Sequence, residues 1–278
     1  MRSKTLWLIL ILSASYLSCH KDISQGKHPP KGNQLLAKQI TQLPNFLLID
    51  SFVYDSQNRC TRIYVQAYDS SAPALHIAYD EFHYYGNDTL PYKITDSSQF
   101  GKVMNWWIQY DALGRKLSDS MLNYGTSDKR VSHYTYSSNR IFVSTIAYQT
   151  YGPIQYLKDT FDFNGNNCLK YKALNDWGGG TPYWWQYAMT YDHHPSPQSM
   201  LNIAPAAFFG GTVVNGWIEG LNKNNILAST FTSSDPRIPV NVKTYQYIYD
   251  LNGNPVYSSS TSSAYPTQFE KVTYQYTR

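Results

Sequence analysis

The residues most able to carry chemistry lie in one glycine-rich aromatic stretch, DWGGGTPYWWQY, at positions 176–187. Flat aromatic faces with polar rims suit sugar rings or apolar polymer segments. A Trp-Trp pair further upstream has the same potential. The candidate ligand-binding residues are Trp177, Tyr183, Trp184, Trp185, Trp106 and Trp107. The competing interpretation is packing, because adjacent strand residues point to opposite sides: of Trp184 and Trp185, one would enter the core and the other a neighbouring loop.

A second stretch, YDHHPSP, offers three metal-ligating residue types in Asp192, His193 and His194. A zinc site needs three or four ligands that converge on one point. Neighbouring residues of a strand diverge, and the two prolines that follow indicate a loop. We therefore expect a solvated turn here, and neither a metal nor another cofactor.

A third stretch, AYDEFHYY, contains the side-chain types of an acid–base set in Asp80, Glu81 and His83. Asp80 and Glu81 would face opposite sides of a strand, so this stretch alone cannot place two carboxylates across one bond. The sequence also lacks a nucleophile elbow, a His-Glu-x-x-His helix, a phosphate loop and a dinucleotide fingerprint. No catalytic residue is predicted, and a hydrolase is an alternative whose acids would converge only in the fold.

The elements that must position these residues are marked by one turn that the chain repeats. YDSQNRCT, YDALGRKL, FDFNGNNCL and YIYDLNGNPV each contain an aromatic residue, an Asp, and a Gly or Asn three positions after that Asp. Asp closes Asx turns, and Gly or Asn tolerates the left-handed backbone of a tight hairpin. The predicted turn residues are Asp55, Asn58, Asp111, Gly114, Asp162, Gly165, Asp250 and Gly253. Complete and degenerate copies recur every 25 to 30 residues between Tyr54 and Tyr191, which indicates a structural repeat.

Alternation between these turns predicts strands with one aromatic face. Tyr245, Tyr247 and Tyr249 share one side of a strand, whereas Gln246 and Ile248 share the other. A long meander with such faces must hide its edges, and closure does so. The predicted fold is all-β: a single large up-and-down antiparallel barrel or curved half-barrel, built from about eight or nine hairpin repeats.

The N-terminus has the features of an export signal. Residues 1–18 carry two basic residues and then an apolar run, as signal peptides do. The stretch YLSC resembles the lipobox of bacterial lipoproteins, which implies acylation of Cys19 and anchoring in a membrane. Tyr16 departs from the small aliphatic residue usual in that motif, and the alternative is a plain secretory signal. His20, where an Asp would signal retention in the inner membrane, favours the outer membrane.

The rest of the chain divides into two parts. Residues 19–45 are expected to form the lipidated N-terminus and a flexible tether, with a short helix in NQLLAKQITQL. Residues 46–278 are expected to form the barrel domain.

Composition limits the classes of function. Sixteen Asp stand against three Glu, an excess that favours turns over helices. The net charge of +4 falls to +2 without the two basic residues of the leader (21 basic against 19 acidic), which supports no nucleic-acid partner. Cys60 and Cys168 lie four hairpins apart in the repeat, too far for a disulfide, so we predict two free, buried thiols.

Beyond these patterns, the motifs YDALGRK and YDLNGN resemble the YD repeats of bacterial surface and toxin-shell proteins. Together with the lipobox, YDHHPSP and NKNNI, they make residues 46–278 similar to a family of exported Gram-negative lipoproteins of unknown function. The resemblance implies a porin-like antiparallel barrel and lends no catalytic residue. The lysines that interrupt strand-like runs argue against a membrane-spanning barrel; they are Lys93, Lys170, Lys172 and Lys243.

From these observations we expect a lipid-anchored outer-membrane protein, periplasmic or surface-exposed, that acts as a non-catalytic binding or scaffold module. A glycan, an envelope polymer or an envelope protein is the expected partner, and nucleic acid is not. Besides a hydrolase, the alternative is a structural subunit of an envelope protein assembly.

Overall fold

The computed structural model describes residues 34–70, 72–99, 101–150, 152–176, 182–201 and 222–277. They form sixteen strands and one short 3-10 helix, Pro197–Met200. The strands are β1 (Leu36–Leu43), β2 (Phe46–Tyr54), β3 (Cys60–Asp69), β4 (Ala72–Tyr84), β5 (Pro91–Ser98), β6 (Gly101–Tyr110), β7 (Lys116–Asn123), β8 (Lys129–Ser137), β9 (Arg140–Tyr148), β10 (Gln155–Asn164), β11 (Asn167–Asp176), β12 (Tyr183–Pro195), β13 (Asn224–Ser233), β14 (Asn241–Tyr249), β15 (Pro255–Ser262) and β16 (Phe269–Tyr276). In these ranges no helix is long and apolar enough to cross a membrane.

The strands form a closed antiparallel barrel. Each strand pairs with its neighbours in the chain, and β1 pairs with β16 to complete the ring. The predicted all-β, up-and-down fold is confirmed, and of the two predicted forms it is the closed barrel that is present. Closure satisfies the backbone donors and acceptors that a half-barrel would leave on two edges.

The predicted helix before residue 46 was wrong. Leu36–Leu43 is strand β1, so the barrel begins ten residues earlier than expected. Lys38 of β1 pairs with Ser51 of β2 on one side and with Gln275 of β16 on the other. Without this strand, β2 and β16 would each expose an unpaired edge, and that tertiary pairing outweighs the weak local helix propensity.

The repeated turns all lie at one end of the barrel, which we call the corner end; the other end is the loop end. In the corner between β6 and β7, Asp111 Oδ1 accepts hydrogen bonds from the backbone N–H groups of Leu113 (2.9 Å) and Arg115 (2.8 Å). Gly114 donates its N–H to the carbonyl of Asp111 and has a φ of 76°. This is a type I turn with a left-handed fourth residue, a common hairpin connection. Asp55 with Asn58, and Asp250 with Gly253, form the same corner.

The corner between β10 and β11 differs from the predicted one. Gly165 lies in the turn with a φ of 60°, but Asp162 does not close it. Asp162 stays within β10, where it faces outward and forms an ion pair with Arg140 of β9. The turn is tighter here because Asn164 pairs with Asn167, which leaves two residues between the strands, whereas the corner between β6 and β7 leaves five between Tyr110 and Lys116.

Alternation places the aromatic side chains inside the barrel. Along β14 the tyrosines are partly buried, whereas Thr244, Gln246 and Ile248 are exposed. Two apolar clusters fill the corner half of the interior, one around Ile63, Trp106 and Val272 and one around Ile141, Phe161 and Met189. Leu201, just after the 3-10 helix, is fully buried in the first cluster. The segment that follows β12, as far as Leu201, therefore lies against the core and helps to fill the barrel.

Tyrosine hydroxyl groups tie successive hairpins together at the corner end. We call these residues the corner tyrosines. Each donates a hydrogen bond to a backbone carbonyl of the preceding strand, which no turn joins to the tyrosine's own strand at this end of the barrel. The pairs are Tyr54 to Leu36, Tyr84 to Cys60, Tyr110 to Pro91, Tyr136 to Lys116, Tyr191 to Cys168, Tyr247 to Ile226 and Tyr276 to Pro255. In β10 the corresponding residue is Phe163, which has no hydroxyl group.

The two barrel cysteines are free and buried, as predicted. Cys60 begins β3 and Cys168 follows the first residue of β11, eight strands away around the ring. Burial raises the pKa of each thiol to about 12, so both stay protonated at neutral pH. Neither is suited to act as a nucleophile.

Candidate functional site

The glycine-rich aromatic stretch is divided between the two faces of β12. Tyr183 and Trp185 point into the barrel, with ring centres 5.5 Å apart. Trp184 points outward, and the ammonium group of Lys172 lies 4.9 Å from its ring centre. Trp177 lies outside the described residues. The described aromatic residues of this stretch therefore do not share one surface.

The second tryptophan pair is divided in the same way. Trp106 is 2% exposed and belongs to the first apolar cluster, whereas Trp107 is 39% exposed on the outside of β6, opposite Lys93. β6 and β12 lie six strands apart in the ring. Trp107 and Trp184 therefore cannot belong to one small-molecule site.

The Asp-His-His stretch belongs to a hydrogen-bonded corner and not to the solvated turn that we predicted. β12 continues through it to Pro195 because β13 pairs with this end of the strand. Asp192 accepts hydrogen bonds from the backbone N–H groups of His194 (2.9 Å) and Asn225 (3.2 Å), and from the hydroxyl of Tyr249. The imidazole of His194 stacks on Tyr249 at 4.1 Å. The described residues include no group of three His, Cys, Asp or Glu side chains that could hold a metal ion.

The Asp-Glu-x-His stretch is split between the inside and the outside of β4. Asp80 points inward and is 5% exposed. Glu81 points outward and forms an ion pair with Arg62. His83 also points outward, with Nε2 at 3.1 Å from Thr95 Oγ1. These three residues do not form an acid–base set.

A group of lumenal carboxylates was missed by the sequence analysis. Asp50 of β2, Asp80 of β4 and Asp96 of β5 point into the barrel, and Asp80 and Asp96 lie directly opposite each other, which places their Cβ atoms about 5 Å apart. Among the described residues none of the three carboxylates has a hydrogen-bond or ion-pair partner. Position in the strand would have revealed them, because Asp50 and Asp80 each stand two residues before an inward phenylalanine.

The environment of these carboxylates favours their neutral form. Burial raises the pKa of Asp50 to about 7 and also raises that of Asp96. Burial, followed by the charges of Asp96 and Asp50, raises the pKa of Asp80 well above its ordinary value. An unpaired buried carboxylate is costly when ionised and therefore holds its proton.

Other charged groups in the lumen are matched in pairs. Lys116 Nζ lies 2.5 Å from Asp119 Oδ2, and both side chains are almost completely buried. The hydroxyl of Tyr134 donates to the same carboxylate oxygen at 2.5 Å. Lys243 forms an ion pair with Glu270. Asp159 of β10 also points inward, and burial raises its pKa to about 6, but it accepts a hydrogen bond from the hydroxyl of Tyr171 at 3.0 Å. The wall formed by β2, β4 and β5 is therefore the part of the described interior whose carboxylates have neither an ion-pair nor a hydrogen-bond partner.

A small cavity lies between the 3-10 helix and the barrel wall. Its volume is about 30 Å³, and Gln39, Gln198, Glu270, Tyr245 and Tyr274 are among its lining residues. Gln198 Nε2 donates to Gln39 Oε1 across it at 3.3 Å. A cavity of this size holds water and not a sugar ring. The interior at this point suits packing more than ligand binding.

No family model and no curated protein matches this sequence. Two crystal structures of porin-like proteins have a similar fold. The one from Bacteroides vulgatus ATCC 8482 has a TM-score of 0.59 and 12% identity, with 87% of this chain and 98% of that chain covered. The one from Bacteroides uniformis ATCC 8492 has a TM-score of 0.53 and 12% identity, with 87% and 96% covered. At this identity the similarity shows the fold alone, a porin-like antiparallel β-barrel.

Proposed function

We propose that the protein is a lipid-anchored barrel of the outer membrane that acts as a non-catalytic binding or scaffold module, with an envelope glycan or polymer as its partner. The observation that carries the proposal is the filling of the corner half of the barrel by two apolar clusters and by Leu201. A filled barrel is poorly suited to conduct solutes, so contact surfaces on its outside are the remaining place for function.

The outer surface supports the same proposal. Charged side chains occur on the outside within its strands, among them Arg62, Glu81, Lys158 and Lys172. A membrane-spanning barrel needs an outward apolar band about 25 Å tall, which these residues would interrupt. Exposed aromatic residues with polar neighbours, such as Trp107, suit contact with sugars instead.

The experiment uses the two pairs of adjacent tryptophans, each of which has one outward and one inward ring. The purified protein is passed over a panel of neutral and acidic glycans and over envelope extracts. Trp184→Ala and Trp107→Ala should each weaken retention without lowering the melting temperature much. Trp185→Ala and Trp106→Ala should lower the melting temperature, since they remove core packing. Wild-type protein that retains no glycan and no envelope component would contradict the proposal.

A hydrolase is the second candidate, and one observation favours it. Asp80 and Asp96 face each other across neighbouring strands, within the separation that two-carboxylate glycosidases use. Both have raised pKa values, whereas such enzymes need one of the two ionised. Release of reducing sugar from a glycan by the wild type but not by Asp80→Asn would establish this alternative over the first.

A further inference from the structure

Three lysines project from the outer face of β10 and β11. Lys158, Lys170 and Lys172 are all exposed and alternate with inward residues such as Ala173, which is 1% exposed. None of the three has an ion-pair partner among the described residues. Asp162 lies opposite Lys170 on this face, but it forms its ion pair with Arg140 of β9.

The register of the strands brings these lysines together. Lys170 and Lys172 are two positions apart in β11, a separation of about 7 Å. Lys158 pairs with Leu174 and is therefore the diagonal neighbour of Lys172, about 7 to 8 Å away. Like charges at such distances repel each other and do not stabilise the sheet. This face is therefore electrostatically complementary to a chain of negative groups.

The neighbours of Lys172 add hydrogen-bonding groups. Lys172 lies between Thr160 of β10 and Gln186 of β12 in one row across the sheet. Trp184 of β12, opposite Leu174, holds the ammonium group of Lys172 against its ring. Cations flanked by hydroxyl and amide side chains can pair with acidic groups while hydrogen-bonding to sugar hydroxyl groups.

We propose that this outer face of β10–β12 binds an acidic polysaccharide, whose carboxylate or sulfate groups contact Lys158, Lys170 and Lys172. The inference rests on the proposed function and names the class of glycan. A lipid surface fits less well, because it would be met by apolar side chains in place of Thr160 and Gln186. Single-stranded nucleic acid also fits less well, because its bases need open aromatic faces and Lys172 covers one face of Trp184.

Two lysines elsewhere on the outer surface provide a matched control. Lys38 projects from β1, where it pairs with Ser51 of β2 and Gln275 of β16. Lys271 projects from β16, 5.1 Å from the ring centre of Phe269. Both strands lie at least five strands away from β10 and β11 in the ring, so substituting both lysines removes two positive charges without disturbing the cluster.

The test measures binding of the purified protein to immobilised polygalacturonate and chondroitin sulfate, with dextran as the neutral polymer. Wild type should bind an acidic polymer, release it as salt is raised, and ignore dextran. The triple variant Lys158→Gln, Lys170→Gln, Lys172→Gln should bind about tenfold more weakly, because three exposed ion pairs are lost. The double variant Lys38→Gln, Lys271→Gln should bind within about twofold of wild type. If the protein binds only one of the two acidic polymers, the result supports the proposal and shows whether carboxylate or sulfate groups are preferred.

Several results would overturn the proposal. Equal weakening by the triple and double variants would show a general charge effect, and tighter binding to anionic vesicles or to single-stranded DNA would identify a different partner. Wild-type retention on neutral glycans that the lysine variants leave unchanged would overturn this inference while the proposed function stands. Retention on no glycan or extract at all would remove the proposed function itself. Equal melting temperatures of the variants exclude unfolding as the cause.

Discussion

At the scale of single residues, the unusual feature is the set of unpaired carboxylates in the lumen. Asp50 and Asp80 are each 5% exposed and have no partner among the described residues. Corner carboxylates such as Asp111 are in the opposite situation, because two backbone N–H groups and Arg115 lower the pKa of Asp111. The same side chain thus closes turns as an anion and lines the lumen as a neutral acid.

We predict that the lumenal acids make the barrel less stable as the pH rises. In an unfolded chain Asp titrates near 3.9, whereas burial raises the pKa of Asp50 to about 7 and raises that of Asp80 well above its ordinary value. The folded state therefore holds more protons, and its extra stability is complete below about pH 4 and is lost as the pH rises through 7. The expected loss is roughly 1 to 4 kcal/mol of unfolding free energy.

Urea denaturation at pH 5, 6.5 and 8 measures this loss. The lower limit of pH 5 avoids the range in which the corner carboxylates titrate. Asp80→Asn stays neutral at every pH and should flatten the dependence, as should Asp50→Asn. A stability that rises between pH 5 and 8, or a wild-type slope unchanged in both variants, would show that these carboxylates are ionised and stabilised in the folded protein.

At the scale of the element, the corner tyrosines explain why the repeat places an aromatic residue before its turn. A corner links β4 to β5 covalently, but nothing covalent joins β4 to β3 at that end. The hydroxyl of Tyr84 supplies that link, 2.8 Å from the carbonyl of Cys60. Arg59 of the preceding corner lies over the same ring, 4.6 Å from its centre. Except at β10, where Phe163 takes this place, each hairpin is thus fastened to the preceding one by a tyrosine close to the start of its turn.

Removing one of these hydroxyl groups should cost a measurable part of the stability. Tyr84→Phe keeps the ring and leaves the partly buried carbonyl of Cys60 with one fewer donor, so we expect a loss of about 1 kcal/mol of unfolding free energy. Tyr68→Phe is the matched control, because Tyr68 is 41% exposed on the outside of β3. Chemical denaturation compares the two. Equal denaturation midpoints for Tyr84→Phe and Tyr68→Phe would mean that the hydrogen bond from Tyr84 to Cys60 stabilises the fold no more than a hydrogen bond to water does.

The element scale also shows where sequence patterns succeed and fail. Asp55, Asp111 and Asp250 could be assigned to turns because the turn chemistry is local, within five residues. β1 could not be found in this way, since its strand conformation depends on β2 and β16, far away in the chain. Asp162 failed because its corner is tighter than the others: Asn164 pairs with Asn167, so Asp162 lies within β10 and not in the turn.

For the whole molecule, alternation and repeated corners were sufficient to predict an all-β antiparallel barrel. Alternation with a period of two residues indicates strands, and a long meander of strands can cover its two edges by closing into a barrel. The candidate site was harder. The aromatic pairs Trp106–Trp107 and Trp184–Trp185 were candidates for ligand binding, with packing on opposite sides of a strand as the competing interpretation, and each contributes one ring to the inside and one to the outside. The outer face with Lys158, Lys170 and Lys172 could not be predicted, because it depends on the pairing register of β10, β11 and β12, and a single sequence does not reveal that register.

The filled interior and the charged outer surface together bear on how the molecule is held in place. If the barrel does not sit in the bilayer, an acylated Cys19 is its attachment. Two or three acyl chains contribute about 0.8 kcal/mol for each buried methylene group and are enough for stable anchoring. Cys19→Ser should therefore shift the protein from the membrane fraction to the soluble fraction and abolish incorporation of labelled fatty acid, without changing the melting temperature of the barrel.

Cys60→Ser and Cys168→Ser are the controls for this last prediction, because both thiols are buried in the barrel and cannot carry a lipid. Each should stay in the membrane fraction and incorporate label, with at most a modest loss of stability from the change in the core. Carbonate washing separates peripheral from integral attachment. Cys19→Ser protein that survives the wash in the membrane pellet would mean that the barrel itself contacts the lipid core, in spite of Arg62, Glu81 and Lys158 on its outer face.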